Sequence, residues 1–441
     1  MVGSPGSFSP ARERLILFVL AAVQFTSIVD FMIVMPLGPQ LERELNLTPV
    51  SFGQIVSSYT YAAGAAGLLA SVLIDRFARR TAFLAVFAGF LLGTLACGLA
   101  PGYWWLLAAR LLTGAFGGIL GGIALAIIGD VFPEHRRGWA SGMLMSAFAV
   151  ASVLGVPLGI LLGHHYGWHV PFVTLAALGV PALFAAAMAL PPLDRHVSSS
   201  NAHPLVHLRE VFTEPNHQRA FALTIALMFG GFTIFPYLSP YFVSNVGIGE
   251  GELAWLYVAG GVLTLVGSPI AGRLADRFGK LLVFRCVSPL FALSALVATT
   301  LPPVPLAVAA LVMGTLMVTS AGRMVPAMAM TTSSVHPARR GGFLGANSAV
   351  QHITAGLGAS IGGALLTKHE GKLEHFPLVG VISILGTLTS LWLAGRLTIV
   401  ADHATTATES LAAAAQGTVD ADETLAYSET EPPAPDHALK G

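Results

Sequence analysis

Long apolar runs separated by short polar gaps set the pattern of this chain. A run of about 20 apolar residues is long enough to cross a bilayer as a helix. Twelve such runs are predicted, at 14–36, 52–74, 82–100, 103–129, 139–162, 169–190, 219–243, 253–274, 281–301, 305–329, 342–366 and 377–396. The longest polar interruption before residue 396 is PPLDRHVSSSNAHPLVHLREVFTEPNHQR, from Pro191 to Arg219, with six runs on each side of it. Inside it, PLVHLREVF (Pro204 to Phe212) predicts a short surface helix. His196, His203, His207 and His217 fall at irregular spacing there, which suits a solvated connector and not a metal site. The expected fold is an all-α membrane protein of twelve transmembrane helices, in two six-helix halves related by pseudo-twofold symmetry. It divides into an N-terminal tail (1–13), a first half (14–190), a central loop (191–218), a second half (219–396) and a tail (397–441). After Val400 that tail is rich in Ala, Thr and Pro and carries eight acidic residues and one lysine, a composition that predicts disorder.

Composition agrees with a membrane protein. Of 441 residues, 54 % are hydrophobic and 10 % charged, against about 25 % charged in soluble proteins. The mean hydropathy is +0.72 and glycine occurs 48 times, as membrane helices tolerate. Zero formal net charge implies no nucleic-acid partner. Cys97 and Cys286, both in apolar runs, read as small packing residues. The first run follows Arg12 and Arg14 and continues to about Pro36 with no small-residue cleavage site, so it reads as a retained span and not a signal peptide.

Charge then sets an orientation. With the N-terminus in the cytoplasm, sixteen of the 23 basic residues fall on cytoplasmic segments, and only Arg43, Lys368 and Lys372 fall outside. That is the positive-inside bias, and it places both termini and the central loop in the cytoplasm. The halves also repeat. LIDRFARR returns as LADRFGK with Asp75 and Asp276 201 residues apart; Arg136-Arg137-Gly138 returns as Arg339-Arg340-Gly341 and Gly155/Gly159 as Gly358/Gly362, each 203 apart. Such an offset describes a parallel repeat about an axis along the membrane normal.

With these motifs the sequence resembles the major facilitator superfamily, and most of all its bacterial drug:proton antiporter and sugar-efflux branch, from about Arg14 to Arg396. The superfamily pattern between spans two and three is Gly, three residues, Asp-Arg, one residue, Gly, then a basic pair. Here it reads Ser71, Asp75, Arg76, Ala78, Arg79, Arg80, with small residues in place of both glycines; the second copy keeps Gly272, Asp276, Arg277, Gly279 and Lys280. The resemblance implies a conformational switch in this loop, with Asp75 bridging the halves. Independently of the family, a carboxylate ending a span can accept hydrogen bonds from arginine or cap a helix, and the arginines face an anionic leaflet.

In the fourth span Arg110, Gly114 and Gly118 recur every four residues, matching a family pattern linked to proton coupling. The glycines permit close helix approach. A buried arginine needs a partner, and Asp30 is the one acidic residue well inside a span. Counted at about 1.5 Å per residue, both lie about 10 Å from the same membrane side, so they can form a buried pair that protonation of Asp30 breaks. The fifth span carries GVPLG, Gly155 to Gly159. This is close to the efflux-branch Gly-Pro cluster with Val156 interposed; Pro157 should bend the helix and the glycines should let it pack on the opposite half. Gln24, Tyr59, Tyr61, Tyr237, Asn347 and Gln351 are polar groups in apolar runs, hence candidates for a substrate cavity or for helix–helix hydrogen bonds. His352 is a further candidate proton carrier. Arg323, in the tenth span with no acid nearby in sequence, reads either as snorkelling to the interface or as a counter-charge for an anionic substrate.

The expected function is secondary transport: proton-coupled efflux of a small organic or amphiphilic compound by alternating access. The partners would be the small-molecule substrate, protons and membrane lipids. The protein is expected to be a monomer in a bacterial inner membrane, with the proton gradient as energy source and neither cofactor nor metal. Movement of an anionic metabolite or lipid-like solute is one alternative, and a membrane sensor or scaffold without transport is another. No Gly-rich phosphate loop, nucleophile elbow or metal-ligand spacing supports an enzyme.

Overall fold

A computed structural model describes residues 10–73, 77–191, 204–336 and 339–399. Helices dominate because a segment in hydrocarbon must pair its backbone N–H and C=O groups within itself. The first half comprises α1 (Pro10–Ile33), a short α2 (Gly38–Glu44), α3 (Pro49–Leu73), α4 (Arg79–Gly98), α5 (Tyr103–Val131), α6 (Glu134–Val150), α7 (Val156–Tyr166) and α8 (His169–Ala189). A linking helix α9 (Pro204–Thr213) follows. The second half comprises α10 (Pro215–Phe232), α11 (Phe235–Tyr241), α12 (Leu253–Phe278), α13 (Lys280–Thr299), α14 (Leu306–Ser333), α15 (Arg340–Leu365) and α16 (Phe376–Ala394). α6 and α7 together form one span across a π-helical turn at Ala151–Gly155, and α10 and α11 form another that ends in a π-helical turn at Phe242–Val246. The result is twelve spans in two halves of six.

Two ends of the molecule differ in chemistry. The basic face holds the start of α1, the end of α16 and the arginine-rich loops. The opposite, hairpin face holds α2 and a two-stranded hairpin, β1 (Thr367–His369) against β2 (Lys372–Glu374), with Thr367 opposite Glu374. Its turn residues Glu370 and Gly371 both have positive φ, 47° and 79°, the conformation of a tight two-residue hairpin turn.

The halves meet where α3 packs on α15 and where α12 packs on α6, the π turn and α7. Ten helical stretches of the described residues are long and apolar enough to cross a membrane; α3 and α15 are outside that set. Both are rich in glycine and hydroxyl residues, as suits helices that face each other. A Cβ on Gly64 of α3 would lie 2.7 Å from Ile353, and one on Gly363 of α15 would lie 2.6 Å from the Pro49 carbonyl. Tyr61 and Ser360 bridge the same seam at 3.2 Å between hydroxyls.

The repeat seen in sequence is also a repeat of contacts. Glu13 accepts from Arg136 at 2.6 Å in the first half, and Glu210 pairs with Arg339 at 3.7 Å in the second. Arg79 at the start of α4 pairs with Asp130 near the end of α5, while Lys280 at the start of α13 donates to Ser333 at the end of α14 at 2.9 Å.

Four expectations are corrected. The first run, expected over 14–36, ends as helix at Ile33, and a separate short helix, α2, follows from Gly38. The glycines of GVPLG do not face the opposite half. Gly155 lies against Phe25 and Val29, and Gly159 against Ile33, all on α1. Their repeats Gly358 and Gly362 lie against Phe229, Phe232 and Thr233 of α10–α11, the symmetric arrangement. Span five reaches the other half instead through Ser152 and Val153, whose backbone packs on Gly261 of α12. Just before Pro157, the Val156 amide bonds to the Ala151 carbonyl across the π turn, so the irregularity sits where proline withholds its own amide. Nor is His217 a solvated connector residue. It is 3 % exposed in the first turn of α10, with Nδ1 3.1 Å from the Val211 carbonyl and its ring 5.1 Å from Phe343. The predicted surface helix is α9; His196 and His203 lie outside the described residues. Cys97 is buried as expected, whereas Cys286 is exposed.

Candidate coupling site

Asp30 sits one turn before the end of α1, and Arg110 two turns into α5. The depth argument from sequence is met by contact: Arg110 Nη1 donates to Asp30 Oδ2 at 2.7 Å, and the side chains are 1 % and 0 % exposed. The same nitrogen lies 3.4 Å from the Asp30 backbone carbonyl. The guanidinium lies over the Tyr59 ring of α3, 4.5 Å from its centroid. Phe31 closes the other side, its ring 5.2 Å from Tyr59. Three helices therefore build the site, and the glycine stripe of α5 is what brings them together. A Cβ on Gly118 would lie 2.6 Å from Ala63 Cα, and Gly114 faces the Tyr59 backbone.

The pair is incompletely satisfied. Asp30 Oδ1, Arg110 Nε and the nearby Thr94 Oγ1 are buried with no hydrogen-bond partner among the described residues. The carboxylate is held by one guanidinium nitrogen with the Thr94 hydroxyl of α4 beside it, and its second oxygen makes no close hydrogen bond, which leaves room for a proton. Tyr59, a candidate for a substrate cavity or a helix–helix contact, packs against this cluster.

The remaining candidates are dispersed. Tyr237 is fully buried at the hairpin face, donating to the Ala359 carbonyl at 2.6 Å and packing edge-on to Phe52. Gln24 flanks Gly121 of α5. Asn347 accepts from Thr224 of α10 at 2.8 Å, and with Gln351 it lines a cleft between α10, α14 and α15 with Met228, Met324 and Met328. That cleft holds about 10 Å³, room for about one water and far below the roughly 300–1,000 Å³ of small-molecule sites, so it is at most one wall of a substrate site. His352 is half-buried on α15, away from any acidic partner among the described residues.

Arg323 does not snorkel to the interface. It is 3 % exposed inside the second half, donating to Thr387 of α16 at 3.0 Å, with its guanidinium 3.4 Å over the Phe291 ring of α13. Stacking and one hydroxyl replace an acidic partner.

Of the basic-loop residues, Asp75 and Arg76 lie outside the described residues. Arg79 pairs with Asp130, and Arg80 donates to the Ala187 carbonyl at 2.6 Å, satisfying the C-terminal turn of α8. Asp276 is exposed, and Arg277 lies 5.2 Å from the Phe278 ring centroid. Sequence reading missed Glu42, Arg43, Glu250 and Lys368, which link the halves at the hairpin face. Their only advance signal is that Arg43 and Lys368 are among the few basic residues on that side.

Known proteins bear out the architecture. The sequence profile of the Major Facilitator Superfamily matches residues 20–240 and 220–421. The MFS-type transporter YbcL of Bacillus subtilis (strain 168) is 25 % identical over 380 residues, covering 84 % of this chain and 93 % of that protein. A protein of Helicobacter pylori (strain ATCC 700392 / 26695) named "Probable sugar efflux transporter" is 26 % identical over 278 residues, covering 63 % of this chain and 70 % of its own length. The crystal structure of a bacterial homolog to the human lysosomal transporter Spinster, in an inward-facing and occupied conformation, superposes with a TM-score of 0.65 at 16 % identity, covering 88 % of this chain and 95 % of that one. With two six-helix halves, a repeat of contacts between them and a profile match along most of its length, the chain belongs to the Major Facilitator Superfamily and is a multi-pass membrane transporter, not an enzyme.

Proposed function

We propose that this transporter exports a small organic or amphiphilic molecule in exchange for protons, by alternating access, with Asp30 as the coupling carboxylate and Arg110 as its counter-charge. The observation that carries the reading is the buried Asp30–Arg110 pair, monodentate and with Asp30 Oδ1 unpartnered. Arg110 favours the ionised carboxylate and burial favours the neutral one, so moving the guanidinium changes the proton affinity of the site. A rearrangement of α5 against α1 and α3 does this, because all three helices meet at Tyr59. Relatives named as sugar efflux transporters support outward transport. The basic face is then cytoplasmic, the membrane the bacterial inner membrane, and the working unit one chain. An anionic substrate gains no support, since Arg323 is engaged within the second half and Arg110 is already paired.

The drive is sufficient. One elementary charge crossing the membrane carries about 2.3 kcal/mol per 100 mV, or about fifty-fold accumulation of a neutral substrate for one proton exchanged. Asp30→Asn fixes the site in its neutral form. In proteoliposomes with an imposed pH gradient it should abolish uphill substrate movement while leaving substrate binding. Wild-type accumulation by Asp30→Asn removes Asp30 from the coupling role, and a wild type that ignores the gradient removes proton coupling altogether.

A further inference from the structure

α2, beside the start of α3, reaches across to the second half at the hairpin face. Gly38, at its start, lies against Pro240 of α11 and Phe52 of α3. Lys368 of the hairpin donates to Glu42 Oε2 at 3.1 Å, and Arg43 pairs with Glu250, just before α12. Lys368 is presented from a fixed platform. The Asn245 side chain donates to the Leu373 carbonyl at 2.8 Å and accepts from the Leu373 amide at 2.9 Å, tying the hairpin to the π-helical turn after α11.

The two ion pairs are not alike. Arg43 is 60 % exposed, so its pair with Glu250 is a surface contact of little weight. The Glu42 side chain is 2 % exposed, while Lys368 remains 38 % exposed. Lysine reaches one oxygen only: Glu42 Oε1 is buried with no hydrogen-bond partner among the described residues. An ionised carboxylate buried with half its acceptors unsatisfied is costly, and a proton removes that cost. Lys368 and Tyr237, both of the second half, stand against Glu42, so parting the halves at this face takes them away from it.

We propose that Glu42 is a second proton-binding group of the transport cycle, taking up a proton as the two halves close over it at the hairpin face and releasing it when they part there. The proposal rests on alternating access but not on Asp30. Other groups around Glu42 do not supply the missing partner. Tyr237 of α11 is its nearest aromatic group, and its hydroxyl is bound to the Ala359 carbonyl; His164 of α7 packs on Gly251, and on α2 itself Arg43 lies 3.8 Å from Glu44 and is paired with Glu250.

The direction follows from linkage. Burial pushes the Glu42 carboxyl above the ordinary carboxylate range, and Lys368 pulls it back by less. In the parted state Glu42 is solvated and ordinary. The closed hairpin face is therefore favoured as pH falls through the raised value, and this advantage is lost as pH rises above it. If the hairpin face meets the acidic side of the membrane, protons there drive the closing step that resets an exporter after release. Asp30 and Glu42 would then act at different steps.

The test is a distance measurement, independent of transport. Spin labels go at Tyr166 and Glu374, both exposed and in opposite halves, in protein with both cysteines replaced and held in lipid nanodiscs. In the wild type the short-distance population should grow from pH 8 to pH 4 or so, by about tenfold for each pH unit separating the closed and open values. Glu42→Gln should hold the short distance at every pH. Lys368→Met should make closure depend more steeply on acid. Glu250→Gln should loosen the face without altering the pH response, and an Asp30→Asn background should keep that response, so that failure of the coupling site and failure of this group are separable. A Glu42→Gln protein with the wild-type pH profile overturns the proposal. So does one that opens the face, because Glu42 would then be a fixed ionic clamp.

Discussion

Deleting the Arg110 side chain strands a fully buried carboxylate in the first half. Its pair with Asp30 is 2.7 Å long, with 1 % and 0 % of the two side chains exposed. Removing one partner of such a pair costs about 3–5 kcal/mol, because the remaining charge is left without compensation. Arg110→Ala also loses the guanidinium stacked on Tyr59. Asp30→Asn alone should cost less, since the amide oxygen can still accept from Arg110. The double variant carries no buried charge and leaves only the cavity. Its loss should fall short of the sum of the single losses by about 2–3 kcal/mol, near the upper end of coupling seen between contacting residues. Reversible unfolding of the purified protein in mixed micelles, followed by tryptophan fluorescence for all four proteins, gives this coupling directly. If the single losses add to within about 0.5 kcal/mol, the two groups do not act as a pair and the physical basis of the coupling site fails.

The glycine stripe and the orientation give further tests. Gly118→Leu should abolish folded, monodisperse protein, because even the Cβ would lie 2.6 Å from Ala63 Cα on α3; Gly122→Leu, where a Cβ meets nothing within 4 Å, should be tolerated. Size-exclusion profiles of the two separate a specific close approach from general intolerance of α5. Reporter fusions at Ser199 and Gly417 should both report a cytoplasmic location if the basic face is inside; an external signal from either contradicts the orientation.

What the sequence could and could not reveal follows from which forces are local. Hydrocarbon makes every span a helix, so most spans followed from apolar run length, with α3 and α15 the least apolar of them, and the pairing of Asp30 with Arg110 followed from charge scarcity: each had one candidate partner at its depth. Arg323 shows where that logic stops. It also had no acid available, but which neighbours surround it depends on how α14 is rotated within its bundle, and periodicity leaves that open. Stacking on Phe291 and a hydrogen bond to Thr387 are contacts between residues far apart in the chain. The GVPLG glycines failed for the same reason: small residues announce a close neighbour without saying which. α2 was missed because seven residues of mixed polarity carry no run and no period, so Glu42 read as a loop charge when it is a buried one. The second layer of the repeat, Glu13–Arg136 echoed by Glu210–Arg339, joins separate helices and so became visible only when they were packed.

α15 has a consequence for how the protein is made. It carries seven glycines together with Arg340, Asn347, Gln351 and His352, and it is not among the helices apolar enough to cross a membrane by composition. A helix of that kind has little reason to leave the insertion machinery for lipid by itself. Its place in the bilayer is secured by surfaces that are synthesised before it: α3, which receives Gly356 and Gly363, and α10, which receives Gly358. Biogenesis of the second half is thus tied to the first having already arrived. A second half translated without α3 would present a bare glycine face to lipid, whereas the two halves supplied as separate polypeptides in one cell retain the surface on which α15 settles.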